Sequence, residues 1–187
     1  HLKKYASKKW VAYGDSITSQ TYYNEYINGT DTYVTLLKNY LNIGTVKNYG
    51  IGSSCAGYIE DEPASSLTVN YNQHSSDTAD ADVITLAYGT NDWFNKGPLG
   101  VYGDSVNTTF WGAYGSVIKS IREANADCEI IILTPIWRDY ASSTAGGELP
   151  YTENANGVTF WEYVDAIKEI ARFYGVPCVD LHSNIAI

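Results

Sequence analysis

Gly14-Asp15-Ser16 follows directly on the apolar run Trp10-Val11-Ala12-Tyr13. A serine placed where a buried strand stops abruptly is a candidate nucleophile, although Gly, Asp and Ser are also ordinary turn formers. Two further segments repeat the pattern of an apolar run closed by glycine and polar residues. Asn48-Tyr49-Gly50-Ile51-Gly52-Ser53 is one, and Gly89-Thr90-Asn91-Asp92 is the other. Taken singly, each reads as a turn, a helix cap or an Asx-turn. Taken together they supply a hydroxyl, backbone N–H groups at a tight turn and a side-chain amide donor. Those are the parts of an acyl-transfer site: Ser16 as nucleophile, with an oxyanion hole drawn from the Gly52/Ser53 turn and Asn91. The "GIGSS" stretch does not read as a phosphate cradle, because it lacks the Lys-Ser/Thr of a P-loop and the full G-x-G-x-x-G spacing.

Short β-type runs alternate with longer amphipathic stretches, and this alternation must position the three turns. Strands are predicted at 9–14, 45–50, 82–89, 128–135 and 176–181. Helices are predicted at 31–42, with Asp31 as cap and Val34, Leu37 and Leu41 on one face, at 108–126, capped by Thr109, and at 157–175, ended by Gly175. Strands alternating with helices imply parallel pairing through right-handed crossovers, and near-continuous apolar strands imply a sheet covered on both faces. The predicted fold is a three-layer α/β/α, flavodoxin-like domain over residues 1–187, with a parallel five-stranded sheet in the order 2-1-3-4-5. Ligands of such sheets bind beyond the carboxyl ends of the strands where the order reverses, here between strands 1 and 3. Segments 51–81, 90–107 and 135–156 show no strong periodicity and read as loops on that side.

Composition narrows the partners. Twelve Lys and Arg against 21 Asp and Glu leave a net charge of −9, which argues against a nucleic-acid partner. No apolar run approaches the roughly 20 residues of a membrane helix. The three cysteines, Cys55, Cys128 and Cys178, are odd in number and fit no metal spacing, and with Cys128 and Cys178 beside hydrophobic runs they read as buried free thiols. The chain starts at His1 and contains no Met, which reads as a processed chain or an excerpt of a longer protein. Its acidic, Asn/Tyr/Thr-rich composition leans towards an extracellular or cell-envelope setting.

"GDSIT" at 14–18, "NYGIGSS" at 48–54 and "GTND" at 89–92 resemble the blocks of the SGNH (GDSL-type) hydrolases, over nearly the whole chain. The resemblance gives Ser16 the nucleophile's role and Asn91 that of an oxyanion donor. It differs from the G-x-S-x-G elbow of α/β-hydrolases, since Thr18 stands at the fifth position. In the second block the family carries Gly five residues after the Asn, and this chain has Ser53 there with Gly52 just before it. Either residue could mark the donor turn. The family's last block, Asp-x-x-His, supplies the base and its orienting acid. Of His1, His74 and His182, none sits in that pattern, and Asp180 with His182 is one residue short. In order 2-1-3-4-5, strand 5 lies three spacings from strand 1, roughly 14 Å from Ser16. The expectation is therefore a chain truncated before its catalytic Asp and His, with a non-standard His182 or His74 base as the rival.

The resemblance implies ester hydrolysis through an acyl-enzyme, with no metal or organic cofactor. Asp15, Trp93 and Trp137 are the residues expected to meet substrate. The aromatic rim of Trp93, Trp137 and Tyr140 suggests O-deacetylation of a carbohydrate, while Arg138 suits an anionic group or a surface ion pair. The alternatives are an inactive glycan-binding module of the same fold and a flavin-binding domain. The absence of a Thr/Ser-rich phosphate loop after strand 1 counts against flavin.

Overall fold

The computed structural model describes residues 2–57, 65–95, 97–137 and 152–184. The elements in chain order are β1 (Lys9–Gly14), α1 (Gln20–Tyr26), α2 (Tyr33–Leu41), β2 (Thr45–Gly50), α3 (Leu67–His74) and β3 (Val83–Ala87). They continue with α4 (Thr90–Phe94), α5 (Phe110–Ala124), β4 (Glu129–Leu133), α6 (Phe160–Tyr174), β5 (Cys178–Val179) and α7 (Leu181–Asn184). The strands form one all-parallel sheet in the order β2-β1-β3-β4-β5, as the alternation predicts. The order reverses between β1 and β3.

Period-2 alternation divides the sheet between two layers. Val11, Tyr13, Ile84, Leu86, Ile130 and Ile132 point to one face and join the main core with side chains of α3, α5 and α6. Trp10 and Ala12 point to the other face and meet Val34 of α2. The long helices are well started. Thr109 Oγ1 accepts from Gly112 N at 3.0 Å. Thr159 and Glu162 close a reciprocal capping box, and Gly175 ends α6 in the left-handed conformation.

The second layer is incomplete among the described residues. Trp10, Thr85, Ile131, Leu133, Val179 and Leu37 line an open apolar groove of about 610 Å³ on the α2 side of the sheet. Val179 and Leu37 are 44% and 41% exposed. Parallel sheets are ordinarily covered on both faces, so this strip is the place where the expected covering is missing.

Several local expectations are corrected. The predicted cap Asp31 is displaced by Thr32, which starts α2 one residue later without a side-chain capping bond. Only Val34 of the predicted apolar stripe is buried. Segment 51–81 contains α3, and α1 and α4 also went unpredicted. His74 does not lie in a polar loop. It ends α3, with its ring stacked on Tyr49 at 3.7 Å and Nδ1 2.9 Å from Asn70 O. All three cysteines are free, and Cys55 is the buried one. No helix among the described residues is long and apolar enough to cross a membrane.

Candidate active site

Register brings the three turns together. Gly14 of β1 pairs with Gly50 of β2 on one side and Ala87 of β3 on the other, so three adjacent strands end at one level. The residues that follow each strand must therefore emerge side by side. Gly14 has a steric reason as well: a Cβ there would lie 2.1 Å from Thr18 Oγ1 and 2.9 Å from Ala87 O. A Cβ on Gly50 would lie 2.5 Å from Ser19 N. Both glycines let the 15–19 turn fold back over the sheet.

That turn is tightly held. Asp15 Oδ1 accepts from Ile17 N at 2.9 Å, and Asp15 O accepts from Thr18 N and Ser19 N at 3.1 Å each. Asn48 clamps it from the neighbouring strand, donating Nδ2 to Thr18 O at 2.7 Å and accepting from Gly50 N at 2.9 Å. Ser16 sits half-buried at the crest. Among the described residues, neither its amide nor its hydroxyl is used by the turn.

The second turn docks against the first. Ile51 N donates to Gly14 O at 2.9 Å, and Ser54 Oγ donates to Ile51 O at 2.8 Å. Ser53 adopts φ +60°, whereas Gly52 stays outside the left-handed region. The special backbone position of this turn is thus Ser53, and its amide has no acceptor among the described residues. Asn91 opens α4 on the far side and donates Nδ2 to Ser54 O at 2.9 Å. An amide nitrogen carries two protons, so one holds the turn and one is left for an incoming oxygen.

Asp92, which sequence reasoning treated only as part of a cap, locks this arrangement. It is fully buried, and its carboxylate accepts from Ala56 N at 2.9 Å and Gly57 N at 3.1 Å. Burial pushes its pKa up to about 6 against these hydrogen bonds. A carboxylate directly after the amide-bearing Asn91, in an otherwise apolar strand end, was the available signal.

Three substrate-contact expectations fare differently. Trp93 is 1% exposed, packs edge-on against Phe160 and donates Nε1 to Thr152 O, so it is core rather than rim. Asp15 is 2% exposed and is spent on building the Ser16 turn. Trp137 is 53% exposed beyond β4. Arg138, Tyr140 and His1 lie outside the described residues. His182 is on α7, against Phe160 at 5.7 Å, and burial lowers its pKa. Its neighbour Asp180 is committed to Lys168 at 2.9 Å and Ser183 N at 2.9 Å. With β5 three spacings from β1, this pair is at the wrong edge of the sheet to serve Ser16.

Fold and site together define an open α/β sheet of the hydrolase kind, with polar turns gathered at its switch point. The chain belongs to the GDSL-like lipase/acylhydrolase family, whose model matches residues 12–186. It is similar to a crystal structure of a Lactobacillus plantarum protein, at 27% identity and TM-score 0.78, over 97% of this chain and 80% of that one. It is also similar to a possible lipase from Chitinophaga pinensis, at 28% identity and TM-score 0.74, over 95% and 68% of the two chains. The fold extends to the acetyl xylan esterase AlAXEase, at 19% identity and TM-score 0.57, over 94% and 78%. No curated protein matches the chain.

Proposed function

We propose that this chain is the nucleophile-bearing part of a serine esterase acting on small acyl esters of carbohydrates. Ser16 Oγ attacks the ester carbonyl as a histidine takes its proton. The sugar oxygen leaves with that proton, and water then cleaves the acyl-enzyme to release acetate. The Ser16 and Ser53 amides and the free Asn91 N–H accept the developing negative charge. The observation that carries the reading is the convergence of Ser16, Ser53 and Asn91 at strand ends locked level by Gly14, Gly50 and Ala87. An acetyl xylan esterase among the proteins of similar fold supports the carbohydrate side.

Neither described histidine is placed at the Ser16 turn, since His74 stacks on Tyr49 and His182 packs against Phe160, so this reading takes its base from outside the described residues. The uncovered groove supports this, since it runs from the β4–β5 face past Thr134 and Pro135 to Asp15, Ile17 and Thr18 beside the nucleophile. A segment covering the sheet face would pass next to the Ser16 turn. Hydrolysis of p-nitrophenyl acetate by the 187-residue chain, by a chain carried on past Ile187, and by Ser16→Ala and Asn91→Ala forms of the longer one tests this. Only the longer chain should turn over, Ser16→Ala should abolish it, and Asn91→Ala should lower kcat by about 10²–10³. Full Ser16-dependent activity in the 187-residue chain would overturn the external base. Unchanged turnover in Ser16→Ala would leave a binding module instead of an esterase.

A further inference from the structure

We propose that the groove between α1 and the 50–53 turn is a subsite for a neutral sugar ring, with Tyr22 and Tyr26 as its stacking platform and Glu25 as its hydroxyl acceptor. This rests on the carbohydrate-ester reading above.

Helix α1 is seven residues long, and none of its side chains is buried. A helix this short gains little from intrinsic propensity, and it is held by its ends instead. Ser19 Oγ accepts from Tyr22 N at 3.2 Å, and Gln20 ties it to Thr30 O at 3.0 Å and Thr32 N at 3.1 Å. Such anchoring fixes the helix without using its aromatic side chains. Two of those, one turn apart, face each other with ring centroids 4.8 Å apart and an interplanar angle of 35°. Tyr26 is 67% exposed. Tyr26 is thus the open ring of the pair, while Tyr22 is half-buried against the 50–53 turn.

The pair borders a groove of about 630 Å³ whose other wall is Gly50 to Ser53. Gly52 allows the close approach: a Cβ there would stand 3.1 Å from Tyr22 Cδ2. The same turn thus presents Ser53 N–H to the oxyanion and its flank to the groove. The groove therefore shares the 50–53 turn with the candidate active site.

The lining selects the ligand class. Ser19, Thr21 and Glu25 supply polar atoms, and no Lys or Arg lines the groove. A long acyl chain would leave those groups unpaired, which is costly. A uronate or phosphate would meet the Glu25 carboxylate with like charge. A neutral pyranose satisfies both walls, with C–H groups on the ring faces and two hydroxyls donating to one carboxylate.

Isothermal titration of the 187-residue chain with xylotetraose, cellotetraose and mannotetraose, and with trigalacturonate as the anionic counterpart, tests the assignment. At least one neutral tetrasaccharide should bind, and trigalacturonate should bind more weakly. Tyr26→Ala and Glu25→Gln should each raise the Kd by about three- to tenfold, with an unchanged melting temperature because both side chains are exposed. Sugar binding that is equally tight in both variants would overturn the subsite and leave the carbohydrate reading standing. Binding of trigalacturonate alone would overturn the neutral-sugar assignment. No binding by the parent chain would overturn the subsite together with the carbohydrate reading, while Ser16-dependent p-nitrophenyl acetate turnover would still report the esterase.

Discussion

Ser53 adopts φ +60° in the turn that follows β2. An L-residue pays about 1–2 kcal/mol in the left-handed conformation. Glycine escapes that cost but loses about 0.5–1 kcal/mol more backbone entropy on folding. Ser53→Gly should therefore stabilise the chain by up to about 1 kcal/mol, a rise of roughly 2–4 °C in Tm. On the esterase reading proposed above it should leave turnover intact, because the group that reading uses is the backbone N–H. Ser53→Val should do the opposite, since a β-branched side chain fits this conformation worst. Thermal denaturation of the two variants beside the parent decides it. A destabilised Ser53→Gly form would show that the serine side chain itself holds the turn. Strain of this size, retained beside the Ser16 turn, is typical of positions whose backbone direction matters. Gly52 serves a different purpose, admitting the Tyr22 ring, so the two neighbours that the sequence leaves equivalent are distinct in the structure.

At the scale of elements, Asp92 couples α4 to the segment that follows the Ser53 turn. Its folded pKa is about 6, against an ordinary carboxyl value of 3.8. The folded chain thus keeps a proton on Asp92 through a window in which the unfolded chain has released it. Its contribution is fully present below about pH 4 and is lost as pH rises through about 6. Two pKa units correspond to about 3 kcal/mol. Asn at this position does not titrate, so the stability of the parent relative to Asp92→Asn should fall by about that amount between pH 4 and pH 7. Urea denaturation of both across this range measures it, and a constant difference would mean that Asp92 ionises normally. The elements themselves were unequally legible. Four of the five strands show as apolar runs, β2 only as a short mixed β-type stretch, and α5 and α6 show through amphipathic spacing and their caps. Helix α3 was hidden because its buried face includes the polar Asn70, which donates to Tyr49 O. Helix α1 buries nothing and so leaves no apolar period. The Ser16 and Asn91 turns were legible because Gly and polar residues interrupt buried strands abruptly. The inward path of Trp93 was not, because one aromatic after a strand end carries no sign of direction.

For the whole molecule, the decisive feature is the asymmetry between its two layers. On one side the sheet is sealed by α3, α5 and α6. On the other, Val179, Leu36, Leu37 and Ile136 stay 44%, 56%, 41% and 37% exposed around the groove over β3, β4 and β5. Completing the burial of each would contribute about 1 kcal/mol, given 1.5–3 kcal/mol for a fully buried aliphatic side chain. The 187-residue chain should consequently bind a hydrophobic dye such as ANS at this face. A segment that covered this face would abolish that binding and raise Tm by roughly 10 °C, since four such side chains offer about 4 kcal/mol. A Leu133→Asp substitution separates the face from other apolar surface. It should weaken dye binding in the 187-residue chain and cancel much of the added stability in the longer one. If extension restores esterase activity while dye binding and Tm stay as they were, the base reaches Ser16 by a route that leaves the sheet face open. If both change together, covering the face and delivering the base are one structural event.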